Sequence, residues 1–133
     1  MGELIKKRIL AVDDEEGYRT LYVFLMEPLG LEVTCVVNGQ EAVEKVEQQA
    51  YDLIFMDVHM PVMNGREAFK KIRKLRPDQN VVIFSSSSDP DFAQEHESIQ
   101  NGSLICLHKP VLVEDIYKIL AEKLHLDLTS LIS

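Results

Sequence analysis

The chain has 133 residues, 46% hydrophobic and 27% charged, with 22 Asp plus Glu against 14 Lys plus Arg for a net charge of −8. This length suits one folded unit over 1–133, since a single core commonly serves about 100–150 residues, and the composition is that of a soluble globular protein. An acidic surface repels a phosphate backbone, so direct nucleic-acid binding is disfavoured.

In chain order, residues 1–8 are basic and lead into an apolar run at 9–12 that stops at Asp13, far short of a secretory signal. Nowhere does an apolar run reach the roughly 18 residues a membrane span requires, and the chain reads as cytoplasmic. The run at 9–12, like those at 53–56, 81–84 and 104–107, is too short for a helix and lacks polar alternation. Strands buried on both faces of a parallel sheet look like this. Tyr18, Leu21, Tyr22, Leu25 and Leu29 form a helical stripe closed by Gly30. From 31 to 37, Leu31, Val33, Cys35 and Val37 alternate with Glu32 and Thr34, as in a strand at a sheet edge.

Ala42, Val43 and Val46 mark a second helix, and Ala68, Ile72 and Leu75 a third, with Pro77 beyond it as a stop. Asp89 and Pro90 read as the N-cap and first-turn proline of a weakly patterned fourth helix over 90–101. Ile116, Leu120 and Leu124 mark the fifth. The core thus runs from about 8 to 124. Residues 125–133 form an apolar tail (Leu126, Leu128, Leu131, Ile132) that fits a helix extension contacting a partner, a linker stub or a fraying end. Cys35 and Cys106 fall in separate strands with no second thiol nearby, so both read as reduced core thiols.

Strand then helix, five times over, predicts an α/β fold: a doubly wound, five-stranded parallel sheet with right-handed crossovers. Ligands in such sheets bind beyond the carboxyl ends of the strands. There the first strand ends in Asp13 and Asp14, the third in Asp57, the fourth in Ser85 and the fifth in Lys109. Three carboxylates within roughly 5 Å repel by about 3 kcal/mol per pair at an effective dielectric near 20. Lys109 supplies one compensating charge and a divalent cation the rest. With only oxygen donors, magnesium is the natural ion, and manganese the alternative.

Asp13 and Asp14, Asp57 followed by Met60-Pro61 and Asn64-Gly65, Ser85, and Lys109-Pro110 together resemble the CheY-like receiver domains of two-component response regulators, over about 8–124. The resemblance implies a flavodoxin-like (βα)5 fold with strand order 2-1-3-4-5. It further implies that Asp57 accepts a phosphoryl group from a sensor histidine kinase or a histidine phosphotransfer protein, in a magnesium-dependent reaction. Asp14, Asp57 and the main-chain carbonyl of His59 would bind the metal, and Asp13 would hold a metal-bound water. Lys109 would bond one phosphoryl oxygen and Ser85 another. Such a chain is a switch that catalyses only its own phosphotransfer and slow dephosphorylation. It signals to a downstream protein or effector domain through the fourth helix, fifth strand and fifth helix, with homodimerisation on activation a further option.

Taken singly, these residues have plainer readings. Asp13 to Glu16 is an acidic first turn, Asp57 a turn or cap residue, and Lys109 a solvated charge. Ser86 to Ser88 are loop composition, Asn64-Gly65 is a turn into the third helix, and His59 is a solvent-facing histidine or a residue that controls water access to the acyl phosphate. Their joint placement favours the functional reading. The sequence departs from the family at Cys106, where an aromatic residue usually stands three positions before the lysine. A thiol offers less side chain to rotate, so the output is expected to be muted or rerouted. The implied strand order puts Cys35 and Cys106 on opposite edges, roughly 19 Å apart, too far for a disulfide.

Three other functions compete. Cys106 encourages a degenerate receiver acting as a constitutive interaction module, which the intact acidic cluster and Lys109 oppose. A phosphatase of the haloacid dehalogenase type needs an Asp-x-Asp pattern absent at both Asp13 and Asp57. Flavin binding rests on fold alone.

Overall fold

The structure is a computed structural model that describes residues 6–85 and 103–128. Its strands are β1 (Arg8–Val12), β2 (Glu32–Val36), β3 (Leu53–Asp57), β4 (Val81–Ser85) and β5 (Leu104–His108). The helices among the described residues are α1 (Glu16–Met26), α2 (Gly39–Gln48), α3 (Gly65–Leu75) and α4 (Val113–Leu124), with a 3-10 turn at Glu27–Leu29. The helix expected over 90–101, its cap at Asp89 and Pro90, the loop serines Ser86 to Ser88, and the tail residues Leu131 and Ile132 lie outside the described residues. No helix among those described is long and apolar enough to cross a membrane.

All strand pairs are parallel, in the order β2-β1-β3-β4-β5. Strand pleating divides the core. Leu10, Val12, Ile54, Met56 and Ile83 face α2 and α3, where Val46, Ala68 and Ile72 meet them. Ile9, Ala11, Leu53, Phe55 and Phe84 face α1 and α4, where Tyr22, Met26, Ile116 and Leu120 complete the second cluster. β1, β3 and β4 are covered on both sides, hence their unbroken apolar runs. β5 is an edge strand, and its Ile105, Cys106 and Leu107 are only half-buried.

Three helix or strand faces differ from the sequence pattern. Leu75 is 46% exposed, and Phe69 takes its place in the buried face of α3, because Leu75 sits in the last turn, beyond the sheet. Val37 is exposed while Val36 is buried, since β2 ends at Val36 and the chain turns into the cap of α2. α1 stops at Met26, which is fully buried, and Leu29 falls in the 3-10 turn. Pro28 has no N–H to continue the α-helical ladder, and Gly30 closes the turn in the left-handed region at φ 84.

Caps fix where the helices begin. Asn38 accepts a hydrogen bond from Glu41 N–H (2.9 Å), and the Glu41 carboxylate reaches back to Val37 N–H (3.0 Å). Asn64 caps α3 in the same way, through Glu67 N–H (3.0 Å). At the other end of the chain, His125 ends α4 in the left-handed conformation, and Leu128 returns to the core, 8% exposed.

Two glycines permit close approaches at the carboxyl edge. A Cβ on Gly65 would stand 2.5 Å from the Asp57 carbonyl oxygen and 2.8 Å from Val58 Cα, and one on Gly39 would stand 2.5 Å from the Met63 carbonyl oxygen. Gly65→Ala is expected to destabilise the protein by roughly 1–3 kcal/mol, because the obstacle is backbone rather than a flexible side chain. A urea midpoint unchanged from the parent would contradict this.

Candidate functional site

The register of the sheet brings four strand ends together. Val12 pairs with Met56 and Asp57 with Phe84, while Ser85 lies opposite His108. Asp13 therefore follows β1 and Asp57 ends β3, its neighbour in the sheet, and both are buried. Main-chain bonds tie the loops beyond: Asp13 N–H donates to the Val36 carbonyl, Val58 N–H to the Phe84 carbonyl, and Lys109 N–H to the Ser85 carbonyl (2.9 Å).

Lys109 is the centre of the cluster. Its Nζ lies 3.0 Å from Asp13 Oδ2, 3.3 Å from Asp57 Oδ2 and 3.4 Å from Glu15 Oε1. The other oxygens of the two buried carboxylates accept main-chain bonds, Asp13 Oδ1 from Glu15 N–H (3.0 Å) and Asp57 Oδ1 from His59 N–H (3.4 Å). The Arg19 guanidinium holds the Asp13 carbonyl at 2.8 Å. One oxygen from each of Asp13, Asp14, Glu15 and Asp57 can be chosen so that all lie within 4.8 Å of one another.

Burial pushes the Asp57 carboxyl above the ordinary carboxylate value, and the charge of Asp13 adds to the rise, with Lys109 opposing it. Burial likewise raises Asp13, against the main-chain bond from Glu15 and the attraction of Lys109. Burial would lower the Lys109 ammonium, but its bonds and charge interactions with Asp13 and Asp57 prevail and raise it. Among the described residues, four carboxylates cluster here and the Lys109 ammonium meets three of them. A donor set of oxygens with excess negative charge fits a hard divalent cation such as magnesium.

Of the residues named from sequence, Asp13, Asp14, Asp57 and Lys109 converge. His59 is exposed and, with Asp14, Met60, Pro61 and Asn64, lines an open cleft of about 380 Å³ beside the carboxylates. It meets Asp57 through its N–H, and Ser85, 6% exposed, meets Lys109 through its carbonyl. Between His59 and Asn64 the loop turns at Val62, whose φ of 67 is unusual for a β-branched residue. Met63 N–H donates to the Pro61 carbonyl there, and the Met63 carbonyl in turn receives Gly39 N–H.

Sequence reasoning missed Glu15 and Tyr18 as neighbours of Lys109. Glu15 was readable as one of four consecutive acids, and Tyr18 only as part of a core stripe. Cys106 is half-buried against the α2–α3 core cluster, and burial pushes its thiol up to about 11. Both cysteines are free, on opposite edge strands.

A family model described as the response regulator receiver domain matches residues 9–121. The chemotaxis protein CheY of Thermotoga maritima is 35% identical over 105 residues, 78% of this chain and 86% of that protein. The transcriptional regulatory protein ZraR of Klebsiella oxytoca is 34% identical over 87% of this chain, an alignment that spans only 26% of ZraR. Among solved structures, the receiver domain of the sensor histidine kinase PA1611 from Pseudomonas aeruginosa PAO1, with a magnesium ion coordinated in its active-site cleft, superposes with a TM-score of 0.77. It is 26% identical, with 92% of this chain and all of that one covered.

Because both buried carboxyls titrate above their ordinary value when folded, the native chain binds protons there more tightly than the unfolded chain. These groups therefore lose stability for the protein as pH rises through their folded pKa. Without metal, Asp57→Asn is expected to raise stability at neutral pH by on the order of 1 kcal/mol, since it removes a buried charge. The gain should shrink as acid protonates the parent's carboxyls. Urea titrations at neutral and acidic pH check both parts, and a neutral-pH midpoint below the parent's would refute the account.

Proposed function

The chain belongs to the response regulator receiver domain family, and on that premise we propose that it is a phosphoacceptor switch loaded at Asp57. The observation that carries this reading is the shared ammonium of Lys109, hydrogen-bonded to both Asp13 and Asp57 at the carboxyl edge of the sheet. An Asp57 carboxylate oxygen attacks the phosphorus of a phosphohistidine on a sensor kinase or phosphotransfer protein. A P–O bond forms as the P–N bond breaks, and the departing imidazole nitrogen keeps the electron pair.

Asp13, Asp14, Asp57 and the His59 carbonyl would hold magnesium, or manganese in its place, as a Lewis acid that neutralises charge on the transferring group. Lys109 turns its ammonium from the carboxylates to a phosphoryl oxygen, and Ser85 offers its hydroxyl to another. Positioning and charge neutralisation, rather than covalent assistance, account for the catalysis these residues supply. The phosphorylated aspartate carries strong acceptor oxygens, and the contacts it alone makes shift a pre-existing equilibrium between conformers. Downstream partners would read that shift in the cytoplasm through the face containing β5 and α4. Cys106, standing where the family usually has an aromatic ring, mutes or reroutes the readout.

Incubation with acetyl phosphate and magnesium should add one phosphoryl group to the intact mass. That gain should vanish in Asp57→Asn and when a chelator removes the metal. No gain in the parent would instead favour a constitutive interaction module. His59 stands at the cleft mouth, where its side chain would govern access of water to the acyl phosphate. His59→Ala is expected to change the phosphoryl half-life by a few-fold, and an unchanged half-life would remove His59 from the mechanism.

A further inference from the structure

The Lys109 ammonium has a fourth neighbour that is not a carboxylate. Nζ lies 4.0 Å from the centroid of the Tyr18 ring, well inside the roughly 6 Å reach of a cation–π contact. Tyr18 stands in the first turn of α1, and the Lys109 side chain is only 14% exposed, so this attraction acts where water screens it little. Lysine is a compact charge on a flexible four-carbon stem, and carboxylates alone hold such a group loosely in direction.

We infer that Tyr18 is a positioning residue for Lys109, whose ring face holds the ammonium over the carboxylates while leaving its charge undiminished for a phosphoryl oxygen. A further carboxylate at this place would cancel that charge. An aliphatic side chain would leave the stem free to shift further toward the rim, where Nζ already meets Glu15 at 3.4 Å and that carboxylate is 60% exposed. The ring does neither, because its attraction comes from a quadrupole and involves no net charge or proton. This inference rests on the phosphoacceptor reading given above, and its own geometric content can be tested apart from it.

The test compares the parent with Tyr18→Phe, which keeps the ring, and Tyr18→Leu, which removes it. Initial rates of phosphorylation by acetyl phosphate at saturating magnesium should match within about twofold for Phe. For Leu they should fall roughly threefold to thirtyfold, the rate equivalent of a partly desolvated cation–π contact. In proton NMR of the metal-free chain, the Lys109 Hε resonances should be ring-current shifted upfield in the parent and Phe variant, and return to ordinary positions in Leu. A Leu variant as fast as the parent, or a Phe variant as slow as Leu, overturns the inference. Should the parent take no phosphoryl group at all, the phosphoacceptor reading fails, and the NMR shift decides the placement of Lys109 by itself. Its presence in the parent and Phe, with loss in Leu, supports the placement, and its absence in the parent refutes it. Tyr18→Met, which fills the space without a π face, replaces Leu if that variant does not fold.

Discussion

The ammonium of Lys109 lies between two carboxylates that burial has pushed toward their neutral forms, and the carboxyl edge of the sheet is organised around that contact. Remove the ammonium and Asp13 and Asp57 face each other with little solvent between them. Breaking a buried charge pair from one side typically costs about 3–5 kcal/mol, because the remaining charge loses its partner without regaining water. Even with Lys109 in place the balance is unequal, since Glu15 and Asp14 add two more carboxylates to the same cluster. Among the described residues the cluster is therefore short of positive charge. This is the electrostatic condition under which a hard cation and an incoming phosphoryl group help each other to bind.

The scaffold supplies this arrangement through backbone, not through the functional side chains. Parallel register delivers the ends of β1, β3, β4 and β5 to one edge, and the main-chain bonds from Asp13, Val58 and Lys109 to neighbouring strand ends stop the loops from splaying. Gly65 lets α3 start against the backbone of Asp57 itself, and its N–H donates to the Val58 carbonyl (2.8 Å). Phe55 stacks against both Tyr22 and Phe84, which lie tilted to each other, with ring centroids 5.4–6.4 Å apart in the core cluster packed against α1 and α4.

Much of the architecture was legible in the sequence. Unbroken apolar runs marked the strands, and apolar residues at helical spacing marked four of the helices. The order of the strands and the roles at the site came from resemblance to a family. Single-residue misreadings arose where a local pattern met a tertiary boundary. Leu75 keeps helical spacing but lies past the sheet, and Val37 keeps strand alternation but lies past the last pairing. Glu15 and Tyr18 could not be placed, because their meaning depends on where an ammonium 94 residues from Glu15 comes to rest. Periodicity encodes which face of an element is buried, but not which long side chain reaches it from another strand.

The position of β1 between β2 and β3 has a temporal consequence. β2, β1 and β3 are contiguous in space and all lie within the first 57 residues, whereas β5 contributes the last strand. A chain emerging from the ribosome can pair these three strands, and so bring Asp13 and Asp57 together, before Lys109 has been synthesised. For that interval the nascent half-sheet carries its acidic pair without the ammonium. Docking of β5 beside β4 then extends the sheet and delivers the missing charge in the same step, ahead of the last helix, so the lysine that would serve the phosphoryl group first compensates the acidic pair as the fold forms.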